Sequence, residues 1–99
     1  MTATAFVPRL KVKDPQAILD YSFDWGTNYL GTDTIASSTW SVSPSGPDIT
    51  THPNSHTDTI ATVWMGGGTE GQSYILTNEI VTTAGRTDDR SITVVVKSL

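Results

Sequence analysis

His52 and His56 stand four positions apart with Asp58 close behind, the spacing that sets two imidazoles on one face of a helix as metal ligands. Pro53 and Asn54 lie between them and oppose a helix, and no cysteine or third histidine completes a ligand set. The expectation is two solvated loop histidines and no metal site. Asp20 and Asp24 share one phase of an alternating segment, as a pair of carboxylates for acid–base work would. The same alternation puts them opposite an aromatic stripe, toward water, where their task is solubility and edge protection. Asp88 and Asp89 beside Arg86 and Arg90 lack the regular oxygen spacing of a calcium loop and read as a turn with local hydrogen bonds. Gly66-Gly67-Gly68-Thr69 has no Lys-Ser/Thr ending, so it reads as a turn and not a phosphate loop. No Gly-x-Ser-x-Gly run occurs among the serines. The reading is that catalytic residues and cofactors are both absent.

Whatever these residues do is therefore set by the elements that carry them. Ninety-nine residues make one domain, and 17 Thr with 10 Ser among them favour strands, since β-branched Thr suits a pleated surface. A net charge of −4 lacks the basic footprint of a nucleic-acid binder. The longest apolar run, Val94-Val95-Val96, is far short of a membrane span, and the N-terminus lacks the pattern of a secretory signal. Neither nucleic acid nor membrane is an expected partner. With no cysteine, the core alone must hold the fold, which fits assembly in a reducing cytoplasm.

Residues 19–25 alternate strictly, apolar at odd positions and small or acidic at even ones, and read as a half-buried strand. Residues 39–42 form another, extending back toward Ile35 through a bulge near Ser37 and Ser38. Residues 59–65 are apolar in both phases, the mark of an inner strand or of one whose outer face is also covered. Tyr74, Leu76 and Ile80 share a phase with Asn78 and Thr82, and Ile92, Val94 and Val96 form a second stripe. The turn-rich residues 83–89 join the two as an antiparallel hairpin. Asp14 and Pro15 open at most one helical turn. The expected fold is all-β, an immunoglobulin-like antiparallel sandwich of about seven strands over residues 13–99, with a small barrel as the alternative. Residues 1–12 are either an extended arm or an edge strand, Pro8 excluding an inner position. At most two of Trp25, Trp40 and Trp64 fit comfortably in so small a core, leaving one to anchor a partner.

Several of these segments resemble one family. They are Lys13 to Tyr21 (KDPQAILDY), Asp33 to Trp40 (DTIASSTW), Thr59 to Trp64 (TIATVW), Thr77-Asn78-Glu79-Ile80, and above all Gly85-Arg86-Thr87-Asp88-Asp89-Arg90-Ser91 within residues 83–91. The chain is similar over most of its length to small tailed-bacteriophage proteins described as fibre-tail adaptors, which have immunoglobulin-like sandwiches and no catalytic residues. The resemblance implies a non-enzymatic virion structural protein, assembled in the host cytoplasm, that docks on a tail or connector and links it to fibres through protein–protein contacts. It would act in a symmetric multi-copy assembly with other virion proteins. Capsid decoration on the major capsid protein and, from another class, a carbohydrate-binding module using Trp and Asp side chains are the alternatives.

Candidate partner-binding residues follow from exposure and type. Phe6 and Val7, with the basic Arg9, Lys11 and Lys13, suit an arm that adds a strand to a neighbour and meets an acidic surface. Tyr29 and Leu30, after Trp25, and the loop holding His52 and His56 are the second set.

Overall fold

The computed structural model describes residues 9–99, which build seven strands in two sheets. These are β1 (Arg9–Lys13), β2 (Ile18–Asp24), β3 (Ile35–Ser43), β4 (Ser55–His56), β5 (Ile60–Gly66), β6 (Ser73–Thr82) and β7 (Thr87–Val96). One sheet has the order β1-β7-β6-β3 and the other β2-β5-β4. Neighbours are antiparallel except β1, which runs parallel to β7. Second, fifth and fourth strands opposite third, sixth and seventh is the partition of an immunoglobulin-like sandwich.

Period-2 patterning decides what lies between the sheets. Tyr21 and Phe23 on β2 and Ala61, Val63 and Met65 on β5 face Tyr74, Leu76 and Ile80 on β6 and Ile92, Val94 and Val96 on β7. The β6–β7 register sets Leu76 opposite Ile92 and Tyr74 opposite Val94, so the two stripes fall on one face. β3 carries its bulge between Ile35 and Ser37, which lets both Ile35 and Trp40 point inward despite their odd separation. The hairpin is tighter than its sequence suggests: Thr87 already pairs with Val81, so Asp88 and Asp89 belong to β7 and not to the turn.

Packing takes over the place of a disulfide. Trp40 on the third strand packs on Phe23 of the second at 5.0 Å between ring centroids. Leu76 follows Tyr74 by two residues, where immunoglobulin domains with a bridge carry the second cysteine. Tyr74 itself forms the tyrosine corner, its hydroxyl accepting from the Thr69 N–H at 2.9 Å. Gly68 allows this return, since its φ is +95° and a Cβ there would lie 2.8 Å from Val96 Cγ2.

Candidate docking surfaces

One end of the sandwich gathers the β2–β3 loop, the β4–β5 turn and the β6–β7 hairpin. Asp24 organises the first of these, accepting from the Gly26 N–H at 2.9 Å and the Thr27 hydroxyl at 3.0 Å. An irregular turn over Gly26–Leu30 follows, closed by the Leu30 N–H on the Trp25 carbonyl at 3.1 Å, with Asn28 at φ 65°. Two backbone bonds tie this loop and the start of β3 to the β4–β5 turn, Trp25 N–H to Thr59 O and Ile35 N–H to Asp58 O.

The hairpin clamps the same loop with two arginines. Arg90 continues the inward stripe of β7 to the rim, where its guanidinium lies 4.2 Å from the Trp25 ring centroid and donates to the Asp24 carbonyl at 3.2 Å. Arg86 sits 4.6 Å over Tyr29, which meets Trp25 edge-on at 5.3 Å. Arg86 also donates to the Leu30 carbonyl at 3.2 Å and to Asp33 Oδ2, Nη2 at 3.0 Å. Asp33 returns the tie through Oδ1, which accepts from the N–H groups of Thr34 and Ala84. The Thr82 hydroxyl above all, then the Thr34 N–H, the Arg86 guanidinium and the Ala84 N–H, hold the Asp33 carboxyl at a pKa of about 2, against some opposing desolvation. Beneath the clamp the buried Asn78 accepts from Trp25 Nε1 at 2.9 Å and donates to Ser38 Oγ and the Thr39 carbonyl. The Gly-Arg-Thr-Asp-Asp-Arg-Ser run thus gathers its chemistry into holding a loop rigid.

The residues expected to bind partners are placed unevenly. Phe6 and Val7 lie outside the described residues. Arg9 opens β1, and Lys11 is exposed on this edge strand. Lys13 corrects the expectation of a free cation: it is 0% exposed, and its ammonium donates to the carbonyls of Asp14 (2.9 Å) and Gly67 (2.7 Å). It shares the inward phase of β1 opposite Val96, and the two carbonyls replace water there; burial lowers its pKa, which Asp14 partly offsets. Leu30 is a second correction, 3% exposed inside the clamp, while Tyr29 is half-buried under Arg86. His56 Nδ1 donates to the Thr57 carbonyl, whereas His52 stacks on Trp64 at 5.6 Å. Among the described residues no three His, Asp or Glu side chains gather as metal ligands.

Of the three indoles, Trp25 and Trp40 are in the core and only Trp64 faces solvent, so no cleft of coplanar indoles forms. The sequence leaves one of the three indoles outside the core without saying which; the apolar residues in both phases of the Trp64 strand were the available signal. Compared with known families, residues 13–95 match the one described as podophage GP4 fiber-tail adaptor protein gp77. No curated protein matches the chain.

Proposed function

The chain belongs to the podophage fibre-tail adaptor family, and from that premise we propose that it works by binding alone, docking on the tail or connector ring and holding a fibre through a second surface. The match over residues 13–95 is the observation that carries this reading. The clamped loop end supports it physically, because a loop already ordered by Arg86, Arg90 and Asp33 has little conformational entropy left to lose on association. Copies act in a symmetric ring within the virion, on the principle that repeated contacts between identical chains close by rotation. No cofactor or chemical step enters the mechanism. The N-terminal segment contributes one contact: Phe6 and Val7 add a strand to a neighbour while Arg9 and Lys11 meet its acidic surface.

Copy number tests the location. Quantitative mass spectrometry of purified particles should find on the order of six or twelve copies, as a tail ring requires by its rotational symmetry. A count in the hundreds would move the protein to the capsid and end the adaptor reading.

A further inference from the structure

The outer face of the β2-β5-β4 sheet is more apolar than a solvated sheet face needs to be. β5 turns Ala61, Val63 and Met65 into the core, yet its outward residues include Ile60 and Trp64, at 36% and 37% exposure. Beside them Ile18 on β2 is 53% exposed, lying over Gly66, where a Cβ would come within 3.3 Å of its Cγ1. Strand pairing sets Asp20 directly opposite Trp64, Ser22 opposite Thr62 and Asp24 opposite Ile60. His52 flanks the indole, and its loop is held to β5 by the reciprocal backbone bonds of Asp48 and Gly66 at 2.8 Å.

The charge on this face is one-sided. Residues 14–85 contain no Lys or Arg, so β2, β4 and β5 carry the carboxylates of Asp20 and Asp24 with no cation of their own. Asp24 spends its oxygens on the following turn, and Asp20 makes no ion pair among the described residues. A purely apolar partner would bury the Asp20 carboxylate unpaired, which is costly. A two-fold contact with a second copy would set like charges against each other.

We propose that this face, centred on Trp64, seats a segment of a partner protein that presents an arginine or lysine side chain among apolar neighbours. The cation lies over the indole and pairs with Asp20, while the apolar neighbours cover Ile18 and Ile60. The inference deepens the adaptor reading by assigning one of its two docking surfaces, and it rests on that reading for the partner being a virion protein.

The test uses phage particles assembled with the full-length chain. A benzophenone amino acid in place of Thr62, on the same outward face, should crosslink to a virion-protein peptide with Lys or Arg at the contact; the same label in place of Thr39 on the opposite sheet should not. Asp20→Lys and Trp64→Ala should each reduce incorporation of the chain, or of its attached partner, by about tenfold or more, with Trp64→Phe retaining part of it. Both side chains point outward, so circular dichroism and the melting temperature of the isolated variants should stay near those of the parent. Unchanged incorporation in Asp20→Lys, a crosslink to a peptide without a cation or to another copy of this chain, or a bound glycan instead of a protein would each overturn the proposal. A basic partner peptide from the capsid shell would leave the docking face standing and overturn the tail location instead.

Discussion

Asn78 offers a test of whether the buried polar network holds the loop end in place. It is fully buried, and its amide joins β6 to the β2–β3 loop through Trp25 Nε1 and to β3 through Ser38 and Thr39. Asn78→Ala strands the indole N–H, at about 1–3 kcal/mol for an unsatisfied buried donor, and opens a small cavity that adds about 1 kcal/mol. A total of about 2–4 kcal/mol is a large share of the stability of a domain this size. Urea unfolding followed by fluorescence measures it: with a slope of about 1.5 kcal/mol/M, the midpoint should fall by about 1.3–2.7 M. The double-mutant cycle of Asn78→Leu with Trp25→Phe separates the hydrogen bond from packing, since the pair removes donor and acceptor together. It should return a coupling of about 1–2 kcal/mol. Additive losses, with coupling near zero, would refute the assignment of stability to this bond.

Four further outcomes are expected. Gly68→Ala should destabilise by about 3 kcal/mol, from a left-handed backbone plus the contact with Val96. Gly71→Ala, also at positive φ but with nothing within 4 Å of its Cβ, should lose only about 1–2 kcal/mol in the same denaturation assay. Arg90→Ala should cost about 1 kcal/mol and raise hydrogen exchange at the amides of residues 25–31, with Arg90→Lys recovering part of the loss. The Asp33 carboxyl, with a folded pKa of about 2 against an ordinary 3.8, contributes stability that is complete above the ordinary value and is lost as pH falls from about 4 to about 2. Thermal melts across that window should therefore decline more steeply in the parent than in Asp33→Asn.

Much of the fold was legible because a half-buried strand writes its two faces directly into alternation. Tyr21 and Phe23, Tyr74 to Ile80, and Ile92 to Val96 announce their strands and their shared core, and the bulge in β3 is readable from the clashing phases of Ile35 and Trp40. The irregular turn over Gly26–Leu30 was not legible, because no residue period marks it. It depends on Asp24 capping its start and on guanidiniums that arrive from the far hairpin. The docking surfaces were less legible still, since the Gly-Arg-Thr-Asp-Asp-Arg-Ser run identifies a family without saying that its arginines stack on Trp25 and Tyr29.

Composition and alternation alone determine that this cysteine-free chain is a Thr-rich β domain whose apolar stripes must meet face to face, because burial of those stripes is the main force available to it. They also determine that its charge is divided, with every cation near the two ends of the sequence. Only the tertiary structure decides the fate of single residues at the edges of that pattern. Lys13 turns inward because the carbonyls of Asp14 and Gly67 wait there, Leu30 is enclosed because Arg86 reaches across 56 positions to its carbonyl, and Trp64 faces water because Val63 and Met65 already occupy the core side of β5. Alternation records which residues share a face; contacts between segments distant in the chain settle which of them meet solvent.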